Sequence, residues 1–353
     1  TNNEGYKHAG LFCSLKNATV KNLVIDSSCS FTGDSAGALS VSVTGSLSIK
    51  HTTNNADVSG TQRLGGFIGC AQGLKQGAVV SFGDCVNNGN ITGTFLSVGG
   101  FVGFIWKNSG IYVTISDSTN NGNVTGSHYV GGLIGRFIGN TNMTFTISNT
   151  SNNCIVNGSN ENVGWFVGGV DGNTNISMTI SSSINNATVT GCDNVGGFVG
   201  LISSNINFVM TISISINNGN ITGNEYVGGF VGSISDNTNS SVTITNSINN
   251  GNITGSNSIG GFVGHIFSHS DTSVSFSIID SSNEGNVFAS SGTACGFVCI
   301  CPEHNYSILT TMKNSINKGS VNAGTNGYGI TNNITVARNV VSMGDVTGSS
   351  GSF

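Results

Sequence analysis

One short phrase recurs along the whole chain at a nearly constant spacing, and this repeat limits the folds that the chain can adopt. At residues 217–232 the phrase reads NNGNITGNEYVGGFVG. Each repeat contains a Gly followed by two apolar residues, and we use this Gly as the marker of the repeat. Successive markers lie 27 to 35 residues apart by subtraction. The markers are Gly10, Gly37, Gly66, Gly100, Gly132, Gly197, Gly229, Gly261, Gly296 and Gly329, with Trp165 in the remaining position. Such periods are typical of solenoids, propellers and arrays.

Each repeat contains three segments with a strand pattern. They are the GGFVG segment, an alternating segment such as 242–245, and the GNITG segment. Alternating Val, Ile, Thr and Phe indicate strands, and the 53 glycines disfavour helices. Propeller blades need four strands and about 40 residues. We therefore predict an all-β, parallel β-solenoid (β-helix) of about eleven coils, with roughly 32 residues and three short strands per coil. The repeats occupy residues 1–353 as one domain.

Strand alternation also predicts which side chains face inward. In the segment from Phe230 to Ile234, Phe230, Gly232 and Ile234 share one face. Arg136 and His265 stand at the position of Ser233 in other coils, so we expect that second face to be in water. Stacked coils then predict an internal ladder of phenylalanines: Phe67, Phe101, Phe166, Phe198, Phe230, Phe262 and Phe297.

Glycine and asparagine pairs are predicted to form the corners of each coil. We expect Gly228 and Gly229 to adopt positive φ, which glycine tolerates. Asn pairs such as 217–218 are predicted at the next corner, where each side-chain amide bonds the amide of the neighbouring coil. Because like charges would meet their own copies in such a stack, the scarcity of charge is consistent with this arrangement.

Composition narrows the possible partners. Only 8% of the residues are charged, against about 25% in ordinary domains, and the net charge is −5. No Lys or Arg occurs between Arg136 and Lys313. Nucleic-acid surfaces need clustered cations, so we expect no nucleic acid as a partner. No apolar stretch approaches the roughly 20 residues of a membrane span, so we expect none in this segment.

The repeat resembles the GLUG-motif family, which is named for a Gly-Leu-apolar-Gly signature. That signature reads Gly132-Leu133-Ile134-Gly135 here, and Phe replaces Leu in Gly229-Phe230-Val231-Gly232 and elsewhere. The resemblance covers nearly the full chain. It implies a repetitive, adhesin-like protein that is extracellular or lies at the cell surface. It implies no catalytic residue and no cofactor.

Asn-X-Ser/Thr sequons are frequent and predict N-glycosylation, although a chain rich in these residues also generates sequons by chance. Sequons in the same slot of adjacent coils would crowd their glycans. We therefore expect glycans at the sequons that fall outside the regular slot, which are Asn142, Asn175, Asn239 and Asn305.

Four residues within ten positions have side chains that can bind a metal ion. Cys295, Cys299, Cys301 and His304 could hold zinc, while the alternative is buried or disulfide-bonded cysteines and no metal.

Asp84, Asp117 and Asp280 recur in one slot. They fit turn formation, and a carbohydrate lyase or hydrolase would use such carboxylates only where they converge with a base.

The sequence thus favours a non-enzymatic extracellular structural protein that forms a fibre or a surface stalk. Neither end of the sequence has a polar cap, so we expect either a fragment of a longer assembly or self-association by head-to-tail stacking into filaments. An adhesin that binds a glycan or a host surface through residues 7–75 or 295–304 is the first alternative. A carbohydrate-active enzyme is the second.

Overall fold

The computed structural model describes residues 7–268, 273–305 and 308–349, without the side chains of residues 301–305. These residues contain no helix and form a parallel β-solenoid, as predicted. Ten coils contribute one strand to each of five parallel sheets and the last described coil contributes to four of them, so four sheets have eleven strands and one has ten. At about 4.8 Å per coil, the stack is a rod about 50 Å long.

Sheets 1 and 2 together contain the GGFVG segment. The strands of sheet 1 are His8–Ala9, Ser35–Gly37, Leu64–Gly65, Leu96–Gly99, His128–Gly131, Val163–Gly164, Asp193–Gly196, Glu225–Gly228, Asn257–Gly260, Ala294–Cys295 and Gly327–Tyr328. The strands of sheet 2 are Phe12–Leu15, Ser40–Val43, Ile68–Gln72, Val102–Trp106, Ile134–Ile138, Val167–Asp171, Val199–Ser203, Val231–Ser235, Val263–Ser268 and Val298–Asn305.

Sheets 3, 4 and 5 complete each coil. The strands of sheet 3 are Ala18–Lys21, Leu47–Lys50, Val79–Gly83, Tyr112–Ser116, Thr141–Ser148, Thr174–Ser181, Ile206–Ser213, Ser240–Thr245, Val274–Ile279, Ile308–Lys313 and Val336–Arg338. The strands of sheet 4 are Val24–Ile25, Thr53–Asn54, Val86–Asn87, Thr119–Asn120, Ser151–Asn152, Ile184–Asn185, Ile216–Asn217, Ile248–Asn249, Ser282–Asn283, Ile316–Asn317 and Val341–Ser342. The strands of sheet 5 are Ser30–Gly33, Asp57–Gly60, Ile91–Gly93, Val124–Gly126, Val156–Gly158, Val189–Thr190, Ile221–Thr222, Ile253–Gly255, Val287–Ala289, Val321–Ala323 and Val346–Thr347.

A coil therefore has five strands, and the prediction of three was wrong. The reason is that single residues in the left-handed region turn the chain more often than the pattern suggested. In the coil of residues 225–255 these residues are Tyr226, Asp236, Asn239 and Asn246, with φ between 49° and 58°. In addition, the GGFVG segment is divided between two sheets at Gly229 and Phe230, and the first residue of the Asn pair belongs to a short strand of its own.

The glycine pair does not supply the positive φ that was predicted for it. Neither Gly228 nor Gly229 lies in the left-handed region, and Tyr226 takes that role instead. A Cβ atom on Gly229 would overlap the carbonyl oxygen of Gly261 in the next coil, and one on Gly228 would overlap the carbonyl oxygen of Val231. These glycines are required because backbones approach closely at the corner.

The predicted phenylalanines form a ladder through the core. All seven side chains have no exposed surface. The rings of Phe198, Phe230 and Phe262 follow one another at 4.7 Å between centroids and are nearly parallel. Leu133 occupies the corresponding position between Phe101 and Phe166. Each buried ring contributes about 2 to 3 kcal/mol to stability, so this ladder is a main source of cohesion.

The face opposite this ladder in sheet 2 is drier than predicted. Ser233 is only 3% exposed, and Arg136 and His265 are partly buried. The cause is the left-handed residue of sheet 1, whose side chain extends over the next coil. The ring of Tyr226, for example, lies 4.3 Å from that of His265.

The predicted ladder of asparagine amides is present and has two rails. The buried rail uses the first Asn of each pair, as where Asn217 Nδ2 donates to Asn249 Oδ1 at 2.6 Å. The exposed rail uses the second, as where Asn250 Nδ2 donates to Asn218 Oδ1 at 2.8 Å. The two rails donate in opposite directions along the rod, so their amide dipoles oppose each other.

A second buried asparagine ladder lies between sheets 2 and 3 and was not predicted. In this ladder the Oδ1 of Asn237 accepts both the backbone N–H and the Nδ2–H of Asn205, at 3.0 and 2.9 Å. The members are Asn108, Asn140, Asn173, Asn205 and Asn237. They are buried, and each closes a corner whose backbone groups would otherwise lack partners.

Candidate functional site

The outer face of sheet 2 varies from coil to coil. In other coils its first column holds Cys70, Arg136, Gly169, Leu201, Ser233 and His265, and its second column holds Gln72, Ile138, Asp171, Ser203, Ser235 and Phe267. The strand Val102–Trp106 instead presents Phe104 and Trp106, which are both partly exposed. Their ring centroids are 5.9 Å apart and their planes differ by 31°. Two large aromatic side chains thus form a shallow platform at the surface of the rod.

Basic residues gather on this platform. The guanidinium of Arg63 lies 5.9 Å from the centre of the Phe104 ring, and the ammonium of Lys107 lies 4.4 Å from that of Trp106. In the next coil, the guanidinium of Arg136 lies 3.8 Å from the centre of the Tyr129 ring. We call Arg63, Phe104, Trp106, Lys107, Tyr129 and Arg136 the aromatic–cationic surface. Cation–π attraction holds its charged groups in place.

An acidic partner neutralises one of these cations. Arg136 donates to both carboxylate oxygens of Asp171, with Nε to Oδ1 at 2.9 Å. Burial alone would lower the pKa of Arg136, but the hydrogen bonds and the charge of Asp171 raise it. Burial, followed by the charge of Asp171, raises the pKa of Tyr129. Arg136 therefore stays charged and is held rigidly between Tyr129 and Asp171.

Carboxylates follow the aromatic–cationic surface along the rod. Glu161, Asp193 and Glu225 stand at the same place in sheet 1 of three successive coils. Asp193 Oδ1 accepts the backbone N–H of Glu225 at 3.1 Å. The electrostatic character of this side of the rod thus changes from positive to negative beyond Arg136.

Three of the glycosylation candidates lie in a column of their own, apart from the slot of Asn90 and Asn123. Asn142 and Asn175 are exposed and occupy one column in adjacent coils, and Asn239 continues that column beyond Asn207. Asn175 Nδ2 donates to Asn142 Oδ1 at 2.9 Å, and Asn239 Nδ2 donates to Asn207 Oδ1 at 2.7 Å. All four adopt positive φ, which explains the Asn at each position. The side chain of Asn305 lies outside the described residues.

Two of the four proposed zinc ligands are bonded to each other. Cys295 and Cys299 form a disulfide with their Cα atoms 5.6 Å apart, so neither offers a thiolate to a metal. The side chains of Cys301 and His304 lie outside the described residues. Within the described part of the chain, no group of three or more His, Cys, Asp or Glu side chains is placed to hold a metal ion.

The recurring aspartates lie at a left-handed corner between sheets 3 and 4. Asp84, Asp117 and Asp280 all have φ near 50°, as do the asparagines of the same column. Asn149 donates to Asp117 at 3.2 Å, and Asn314 donates to Asp280 at 2.9 Å. Short polar side chains tolerate this conformation, so turn formation accounts for these residues.

The aromatic–cationic surface was missed by the sequence prediction, which placed ligand contacts at residues 7–75 or 295–304. Of its six residues, only Arg63 falls in either range. The available signal was two large aromatic residues, Phe104 and Trp106, two positions apart and followed directly by Lys107.

Comparison with protein-family models, curated protein sequences and solved structures yields no match. In the described residues, no helix is long and apolar enough to cross a membrane. The function must therefore be argued from the residues themselves.

Proposed function

We propose that the chain is a non-enzymatic structural β-solenoid that serves outside the cell as a fibre or as the stalk of a surface protein. The continuity of its parallel sheets is the observation that supports this best. Backbone hydrogen bonds between coils run along the axis of the rod, in sheets of ten or eleven strands. Buried Phe and Asn side chains reinforce them from inside, which suits a part that must stay extended under load.

The polar surface is also consistent with a structural role. The aspartates that an enzyme would need are engaged at corners, and the ion pair of His51 with Asp84 has both side chains about 60% exposed. General acid–base catalysis instead benefits from groups that converge in a sheltered cleft. The groove lined by Ser30, Asp57, Ser59, Asn90 and Thr92 holds a single carboxylate.

Negative-stain microscopy and sedimentation at increasing protein concentration test the fibre. We expect rods that join end to end and lengthen with concentration. Val341→Lys places a charge on an exposed residue of the last described coil and should shorten the filaments, since charge blocks strand edges. Val209→Lys is the matched control, because Val209 is equally exposed in the middle of the rod. Single rods at every concentration would exclude the fibre and leave the stalk.

A further inference from the structure

We propose that the aromatic–cationic surface binds the end of an acidic glycan, namely a sugar ring that carries a carboxylate. This inference goes beyond the structural role, because a rod that only supports load needs no aromatic platform at its surface. It is also independent of filament formation, because sugar binding and filament length are measured separately.

The platform has the shape and chemistry to hold a sugar ring. The positions of Phe104 and Trp106 accept polar, aliphatic and aromatic residues in other coils, such as Gly169 and Leu201 in the first column and Ile138 and Ser203 in the second, so the fold does not require an aromatic residue at either position. One face of a pyranose ring exposes C–H groups, which pack against an aromatic face while the hydroxyl groups remain in water. Two rings 5.9 Å apart and tilted by 31° provide a shallow seat for one or two such units.

The cations explain why the sugar should be acidic. Asp171 neutralises Arg136, whereas the charges of Arg63 and Lys107 lie 5.9 and 4.4 Å from the centres of the Phe104 and Trp106 rings. A guanidinium can bind a carboxylate through two parallel hydrogen bonds, and an ammonium adds a point charge. A carboxylate on the sugar would therefore meet Arg63 and Lys107 while the ring packs on Phe104 and Trp106.

Both cations stand at positions where the coil requires positive φ. Arg63 and Lys107 have φ of 54° and 50°. In other coils the Arg63 position holds Ser97, Asn162, Asn194 or Tyr226, and the Lys107 position holds Gly139, Gly172 or Asp236, all with positive φ. The fold therefore fixes the backbone at these two positions and leaves the side chain free to vary.

The extent of the positive region favours a short ligand over a nucleic acid. The aromatic–cationic surface spans three coils, which is about 10 Å from the first to the last at 4.8 Å per coil. Beyond it, Glu161, Asp193 and Glu225 would repel a polyanion that continued along the rod. A single acidic sugar unit fits between these limits.

Isothermal titration of the whole chain tests the proposal. The probes are oligosaccharides ending in glucuronic or sialic acid, neutral lactose, and a single-stranded oligothymidylate. We expect the acidic sugars to bind at least tenfold more tightly than lactose, and binding to weaken as salt increases. Trp106 is partly exposed and Trp165 is fully buried, so the ligand should also change the fluorescence of Trp106.

Three variants use residues that the repeat already places at the same position, so the fold should tolerate them. Trp106→Ser, Arg63→Asn and Lys107→Gly should each weaken binding at least tenfold. Phe267→Ser removes an aromatic residue from the Trp106 position of a distant coil and should leave binding unchanged. The proposal is overturned if acidic and neutral sugars bind alike, if neither binds, if the oligothymidylate binds more tightly, or if the three variants match the control.

Discussion

The side-chain amide of Asn217 donates to the side-chain oxygen of Asn249 in the next coil, and neither residue has any exposed surface. The second N–H of Asn217 donates to the carbonyl oxygen of Gly219 at 3.0 Å, so both hydrogens are used. An amide can bond its own copy because it is both donor and acceptor. A charged side chain in the same position would repel its copy, which explains why a repeat with few charges can still bury polar groups.

Replacing Asn249 with Ala should destabilise the rod strongly. The change leaves Asn217 Nδ2 without its acceptor and Asn283 Oδ1 without its donor, at about 1 to 3 kcal/mol for each buried group. Urea denaturation followed by circular dichroism measures the loss. Asn250→Ala alters the exposed rail next to it and should cost less than about 0.5 kcal/mol. Equal losses in the two variants would contradict a structural role for the buried rail.

The phenylalanine ladder should depend on filling the core more than on the aromatic rings. Phe230→Ala removes a ring that stacks on Phe198 and Phe262 and should cost about 3 to 5 kcal/mol. Phe230→Leu should cost less than about 1.5 kcal/mol, because Leu133 already fills the equivalent position. Urea midpoints of the two variants provide the test. A leucine variant as unstable as the alanine variant would show that ring stacking dominates.

The repeat period and strand alternation were enough to predict the solenoid and the inward-facing phenylalanines, since both are periodic in the chain. The five-strand coil could not be predicted in the same way. Its corners depend on positive φ, and although Asn and Asp fill many of these positions, Tyr226 and Ile214 adopt the same conformation, so residue type does not mark every corner.

The candidate site was hidden for a related reason. Phe104 and Trp106 were visible in the sequence as two aromatic residues on one face of a strand. The cations that cover them come from a different coil or from a corner, as with Arg63 and Lys107. Only the lateral stacking of coils brings these side chains together, and spacing along the chain does not reveal which corner residue leans over which strand.

Ile214 is strained, and its replacement should stabilise the protein. It adopts φ of 51° at the corner where other coils have Asn or Asp, and its side chain is 63% exposed. A β-branched residue in the left-handed region costs roughly 1 to 2 kcal/mol. Ile214→Asn should therefore raise stability by about 1 kcal/mol, measured as a higher urea midpoint. Ile184→Asn, at an exposed strand position, should not raise the urea midpoint. If it raised the midpoint as much as Ile214→Asn does, the cause would be the more polar surface and not the relief of backbone strain.

Glycosylation should be uneven along the column of exposed asparagines. Asn142 and Asn175 lie in adjacent coils, about 4.8 Å apart, so two glycans would collide there. Asn239 is separated from Asn175 by Asn207, which is not in a sequon. After secretion from a eukaryotic cell, glycopeptide mass spectrometry should find Asn239 occupied, together with only one of Asn142 and Asn175 in any single chain. Chains with both carrying glycans would contradict the crowding argument.

Acid should weaken the rod locally at His265. Burial lowers the pKa of this imidazole from its ordinary 6.5 to about 4, beneath the ring of Tyr226 at 4.3 Å and beside that of Phe267 at 6.2 Å. Between these two values the unfolded chain binds more protons than the folded one, so stability falls as the pH decreases from 6.5 and levels off below about 4. The loss at pH 5 should be about 2 kcal/mol relative to pH 7.

His265→Ser substitutes the residue found at Ser233 and should remove that part of the pH dependence, while the contribution of the carboxylates is the same in both proteins. Urea midpoints at pH 7 and pH 5 compare the two chains, and parallel losses would show that His265 carries a proton as readily in the folded state as in water.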